Sequence, residues 1–413
     1  MSMLLTSQNS WVSKLNRKLT TTLFVYCFFT TSISHAYDSG GTKDLQVHGF
    51  VAQGIIDVNG SDFVSDDQGL SLELTEIGIN ASYQLTSDIR VAGQAVYLDG
   101  GNRYNKGTRV DYLLVEWALQ NTENWQTKLY LGRIKNYHWL YSSTRDVPMA
   151  RPSIILPQSV YFDATRDMSI GGDGGAIATR YSNENVGDID ITASMSASTL
   201  SKTQTTIVMG SRSRGRLNHE NDFQGSIYWT PSNSQWKFGI ATTNADFTYK
   251  QGEQDVFLDG GLALERFYFN AEYQAENWTF STELLQENID LYGLLSPDFT
   301  NVKRGQGGFV QGQFTLTPEL QLLARYEHYY ADKDDKNGQQ LERESGGAVP
   351  NYFGYQYDTT LGLKYRIDSN IELQFEHHWI QGTARLTPIL IPEPRVNKEE
   401  YWQLWALQLM YWF

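Results

Sequence analysis

From Leu45 to the end of the chain, apolar and polar residues alternate with period two, in segments separated by turn-forming residues. Period two sends successive side chains to opposite faces of a strand, so each segment reads as a strand with one apolar face. In 77–85, Ile77, Ile79, Ala81, Tyr83 and Leu85 share one face, and Gly78, Asn80, Ser82 and Gln84 share the other. In 353–366, Tyr355, Tyr357, Thr359, Leu361, Leu363 and Tyr365 face away from Gln356, Asp358, Thr360, Gly362 and Lys364. Aromatic residues at both ends with aliphatic ones between them match a strand that crosses two interfaces and a hydrocarbon middle. Helical periodicity is not sustained anywhere in this region.

The pattern predicts sixteen strands: 45–58, 70–85, 89–98, 109–120, 125–135, 173–183, 188–198, 219–230, 235–249, 262–275, 278–287, 306–316, 320–330, 353–366, 371–381 and 400–413. Their connections alternate. Thr86 to Asp88, Asn121 to Asn124, Glu184 to Gly187, Pro231 to Ser234, Glu276-Asn277, Thr317 to Glu319 and Ile367 to Asn370 are short, and the others are long. Short turns at one end and long loops at the other are the arrangement of an outer-membrane barrel, whose short turns are periplasmic. The expected fold is therefore all-β: a transmembrane antiparallel β-barrel of about sixteen strands with both termini periplasmic.

Composition supports this. Aromatics make up 13% of the chain, yet mean hydropathy is −0.43. Lipid-facing and lumen-facing residues alternating along the same strands supply both properties. The formal charge of −14 argues against nucleic acid as a partner, because phosphates demand a basic face.

The first 36 residues read as a signal peptide, with Lys14, Arg17 and Lys18 before an apolar stretch from Leu19 to Ile33 and small residues in Ser34-His35-Ala36. Its removal would take the charge from −14 to −17 and would also remove Cys27, the one cysteine. Residues 37–413 would then be the barrel, with 37–44 a short periplasmic lead-in. No disulfide framework and no Cys-based metal site is expected.

The last strand reads Glu-Tyr-Trp-Gln-Leu-Trp-Ala-Leu-Gln-Leu-Met-Tyr-Trp-Phe, with Tyr401, Trp405, Leu407, Leu409, Tyr411 and Phe413 on one face. It resembles the terminal strand of outer-membrane proteins. That resemblance implies an assembly signal at Tyr411 and Phe413, read by the barrel-assembly machinery. Strand number, turn alternation, terminal Phe413 and the long third connection, 136–172, together resemble the Gram-negative porin superfamily, with general and phosphate-selective porins the nearest groups. The resemblance covers the whole mature chain as architecture. It implies a diffusion channel for small hydrophilic solutes or ions, a third loop folded into the lumen, a homotrimer, and outer-membrane lipid and lipopolysaccharide as surroundings.

In that third loop, Arg145, Asp146, Arg151, Asp163, Arg166 and Asp167 are the expected constriction charges. Pro148, Pro152 and Pro157 stiffen the loop by fixing φ. By parity, Arg90, Glu116, Lys128, Arg266, Glu283, Arg325, Lys364, Glu372 and Glu376 face the lumen wall, where they either act on ions or pair with one another. The run Arg212, Arg214, Arg216 is an external basic cluster that could draw an anionic solute or touch lipopolysaccharide phosphates.

No HExxH, GxSxG or Walker motif is present, so neither an enzyme, a cofactor nor a metal is expected. The rival function is a surface receptor or adhesin that uses its long external loops.

Overall fold

The computed structural model describes residues 45–66, 69–386, 388, 390 and 397–413. The expected signal peptide and the lead-in 37–44 lie outside the described residues.

Among the described residues, seventeen strands form one sheet. They are β1 (Leu45–Asn59), β2 (Gly69–Ser71), β3 (Thr75–Gln84), β4 (Ile89–Asp99), β5 (Gly107–Asn121), β6 (Trp125–Lys135), β7 (Gly171–Asn183), β8 (Gly187–Ala197) and β9 (Arg216–Thr230). The remainder are β10 (Trp236–Lys250), β11 (Gly260–Gln274), β12 (Trp278–Tyr292), β13 (Thr300–Thr315), β14 (Leu320–Tyr330), β15 (Tyr355–Asp368), β16 (Ile371–Gly382) and β17 (Tyr401–Trp412). β2 and β3 both pair with β1, along 56–58 and 45–53 respectively, so they are two pieces of one stave and the barrel has sixteen. Every neighbouring pair is antiparallel. β17 returns to β1, from Phe50 opposite Trp412 to Asn59 opposite Gln403, which closes the sheet and leaves no edge.

The predicted strand 70–85 is thus broken. At the break, Leu74 turns inward and is fully buried, and its carbonyl accepts from Gly54 N–H at 2.7 Å. A Cβ on Gly54 would lie 2.3 Å from the Leu74 side chain, so only glycine admits this packing.

The second difference is at the long-loop end. β12 and β13 run to Tyr292 and from Thr300, well past the predicted limits of 287 and 306. Along the end of β12 the alternation inverts. Ile289 and Leu291 point inward to an apolar cluster, while Asp290 and Tyr292 are exposed. A strand that has left the bilayer no longer needs an apolar outer face, so the lipid-facing signal stops before the strand does.

Closure also fixes the chain's end. Phe413 N–H donates to Gly49 O at 3.0 Å and Gly49 N–H donates to Phe413 O at 3.1 Å. Tyr411 and Phe413 both point outward, with nearly half their surface exposed.

Candidate functional site in the barrel lumen

Inward positions of the staves are polar or charged over most of the wall, and the connection after β6 lies among them. This connection, 136–170, contains the 3₁₀ turns Pro148–Ala150 and Asp163–Thr165 and the short helix Arg166–Ser169. Pro148 starts the first of these turns, where its missing N–H costs nothing.

Side chains from opposite walls hold the loop. Arg151 makes a two-pronged ion pair with Glu76 of β3, at 2.6 and 3.1 Å, and both residues are buried. The carbonyl of Arg151 accepts from Lys364 Nζ of β15 at 2.9 Å. Glu376 of β16 accepts the backbone N–H of Ile154 at 2.8 Å and of Ile155 at 2.7 Å. Arg325 of β14 donates to Ser153 Oγ and to Ile155 O. Its neighbour on the same face, Glu327, accepts from Ser159 N–H at 2.7 Å. Glu283 of β12 accepts from the Tyr161 hydroxyl at 2.6 Å and from Leu140 N–H at 3.4 Å. His138 sits between Ser194 of β8 and Ser226 of β9, at 2.8 and 3.1 Å.

These contacts have a common form. Wall carboxylates face loop N–H groups, and wall cations face loop carbonyls. Those to Arg151 O, Ile154 N–H, Ile155 N–H and O, Ser159 N–H and Leu140 N–H satisfy backbone groups that a loop buried inside a barrel would otherwise leave unpaired. Bonds of this charge-assisted type are worth about 1.5–3 kcal/mol each.

Apolar contacts complete the fit. Ile154 and Ile155 pack on Ile56, Ile380, Leu404 and Ala406 of β1, β16 and β17. Trp139 stacks on Tyr268 of β11 with ring centroids 4.5 Å apart, and Tyr141 on Phe309 of β13 at 6.1 Å.

The loop's own charges are consumed in pairs. Asp163 accepts from Arg145 at 2.9 Å and from Arg103 at 3.3 Å. Arg166 pairs with Asp146, and Arg109 with Asp167. Arg145, Asp146, Arg151, Asp163 and Arg166 are all buried, and only Asp167 keeps partial exposure.

Of the wall charges, Arg266 pairs with Glu287 at 2.8 Å, and Glu372 receives Lys364 at 3.4 Å. On the opposite side, Arg90, Glu116 and Lys128 form a triad across β4, β5 and β6, with contacts of 2.6 and 2.9 Å to Glu116. The Arg90 and Lys128 side chains keep 41% and 42% exposure, so they still meet water.

Sequence reasoning missed Glu76 and Glu327, although each lies at an inward parity position of a recognised strand. It also missed Arg103 and Arg385, which come from loops. Arg385 reaches inward to Glu287 at 3.3 Å and to Ser159 O at 3.1 Å, with its guanidinium 3.4 Å from the Tyr329 ring centre. No periodic signal marks an inward side chain on a loop. Arg212, Arg214 and Arg216 are exposed at the long-loop end.

No protein-family model matches this chain, and no curated protein matches it. Solved structures do. The trimer form of OmpT, an outer-membrane protein of Vibrio cholerae, is 11% identical with a TM-score of 0.55, covering 90% of this chain and all of that one. An anion-selective porin from Comamonas acidovorans is 10% identical with a TM-score of 0.55, covering 90% and 100%. OmpF of Salmonella typhi, in complex with daunomycin, is 14% identical with a TM-score of 0.55, covering 89% and 97%. The fold is that of the outer-membrane porins.

Proposed function

We propose that this protein is an outer-membrane porin, a water-filled diffusion channel for small hydrophilic solutes or ions, whose third loop narrows the lumen. The observation that carries this reading is the loop's position between inward-facing side chains of β3, β8, β9, β12 and β14 to β16. A loop held there sets the width of the opening. Its paired charges, Arg145, Asp146, Arg151, Asp163, Arg166 and Asp167, then act mainly by fixing the loop. Selectivity falls to charges still in water, of which Arg90 and Lys128 are the clearest on the wall.

The same proposal takes residues 1–36 as the export signal, Tyr411 and Phe413 as the assembly signal, both termini as periplasmic, and the assembly as a homotrimer in lipid and lipopolysaccharide. The trimer has support in the trimer form of the Vibrio OmpT structure.

The test is conductance. The purified barrel in a planar bilayer should pass ions in discrete steps of small size. A barrel that passes no ions, even after loop residues 145–167 are deleted, would overturn the channel. The depth to which the loop is buried favours a second reading, a surface receptor that works through its outer loops, and such a silent barrel would support it.

A further inference from the structure

Above the third loop, at the long-loop end, lies a cavity of about 640 Å³. That lies within the size range of small-molecule sites, about 300–1,000 Å³. Its floor is the outer surface of the third loop, including Phe162 and Asp163. Its sides come from the helix Lys202–Met209, through Ile207 and Met209, and from Val256, Phe257 and Leu295 of the next two outer loops. Val256 and Leu295 have 42% and 55% of their surface exposed, so apolar area faces the cavity rather than the bilayer. A mouth that merely passed ions would have no use for such a lining.

The polar lining points to the rest of the ligand. Arg103, Arg212 and Arg385 face the cavity, as do Asp62, Asp66 and Asp163. Most of these are already engaged. Asp163 holds Arg103 and Arg145, Arg385 holds Glu287, and Asp66 accepts from the Asn102 amide at 2.8 Å. Arg212 differs: it is exposed and makes no ion pair among the described residues, and Arg214 and Arg216 beside it make none either. Arg212 is therefore a rim cation that no described carboxylate neutralises, next to an apolar wall.

We propose that this outer vestibule binds an amphipathic anion, with its apolar body against Ile207, Val256 and Phe257 and its acid group on Arg212. This goes beyond diffusion through the lumen, because it gives the mouth of the barrel a ligand class of its own.

Calorimetric titration of the full barrel in lipid nanodiscs tests it, with empty nanodiscs as the blank. The probes are 4-phenylbutyrate, its neutral amide and 4-phenylbutylamine, which share a body and differ in head charge. The acid should bind above the blank, and the amide and amine about tenfold more weakly or worse. Arg212→Ala should weaken the acid about tenfold, and leave the amide unchanged. Val256→Asn, at an exposed site, should weaken acid and amide alike. Binding of the amine equal to that of the acid, an acid signal no larger than the blank, or an Arg212→Ala variant that binds as the parent does would each overturn the proposal. Bilayer conductance is read separately, so a silent barrel that binds the acid sinks the channel and leaves the vestibule site standing.

Discussion

The two sides of the lumen carry similar residues and use them differently. Along β12 to β16, Glu283, Arg325, Glu327, Lys364 and Glu376 all bond to the third loop. Along β4 to β6, Arg90, Glu116 and Lys128 pair with one another, and the two cations stay in contact with water. A charge that accepts a backbone N–H in a dry site acts as a fastener, because its field is used up by its partner. A charge at the edge of water keeps a field that a passing ion can feel. Residue type alone does not separate these roles; contact with the loop does.

The largest effect should come from removing the fastened element. Deleting 145–167 should raise single-channel conductance several-fold, since it empties the space between the walls. The wall carboxylates left behind would be hydrated, so the barrel should still fold and still run as a compact band in a heat-modifiability gel. Conductance equal to the parent's would place the loop outside the ion path.

Next in size is the ion pair at the loop's middle. Arg151→Ala leaves Glu76 buried without its cation, with side-chain exposure of only 1%. Breaking such a pair costs about 3–5 kcal/mol while the site stays dry. The loop can relieve that cost by lifting and admitting water. Conductance should therefore rise, by less than the deletion gives, and the current should become noisier. A quiet current of parental size would show that the pair does not hold the loop.

A smaller and more local change is expected from Glu376→Gln. The amide keeps one acceptor for Ile154 and Ile155 N–H but presents a donor to the other. The loss is about 1–3 kcal/mol. Hydrogen exchange at the two isoleucine amides should quicken while the β16 amides stay protected. Uniform quickening along β16 would mean that the strand, not the loop, has been loosened.

These predictions concern residues that differ in how far the sequence exposes them. The staves were legible because a membrane enforces period two, and the weakly patterned strands at β8 and β11 follow it as well. Inward placement of Glu376, Glu283 and Arg325 follows from the same parity. A signal the parity reading did not use marks the wall where Ile154 and Ile155 dock: Trp402, Leu404, Ala406 and Met410 make most of the inner face of β17 apolar, with only Gln408 polar between them. The fasteners supplied by loops were not legible. Arg103 and Arg385 meet Asp163 and Glu287 only because the outer loops fold back over the lumen, and nothing local to either arginine encodes that return. The outer extension of β12 was hidden for a different reason, the reversal of polarity once the strand leaves the bilayer.

The open side of the lumen should answer to charge rather than to looseness. Lys128→Glu places a second carboxylate beside Glu116 and leaves Arg90 as the only cation of the triad. In a salt gradient the reversal potential should move toward cation preference, with the conductance little changed. Arg151→Gln should not move it in that sense beyond what its change of conductance explains, because that charge does not face water. A shift of equal size from both would erase the distinction between fastened and free charges.

The smallest effect tests the distinction at its margin. Arg180 and Asp190 pair across β7 and β8 through two hydrogen bonds of 2.6 and 2.9 Å, yet their side chains keep 51% and 31% exposure. Geometry alone would rank this pair with Arg151 and Glu76. Exposure ranks it elsewhere, because water solvates either partner when the other is lost, so Arg180→Ala should change stability by no more than about 1 kcal/mol. The pair lies near the short-turn end, with three residues on each strand between it and the turn Glu184 to Val186. Arg180→Ala should then shift the reversal potential in the same direction as Lys128→Glu but by less, and leave the conductance alone. A urea midpoint displaced as far as that of Arg151→Ala would mean that contact geometry, rather than access to water, decides which lumen charges hold this barrel together.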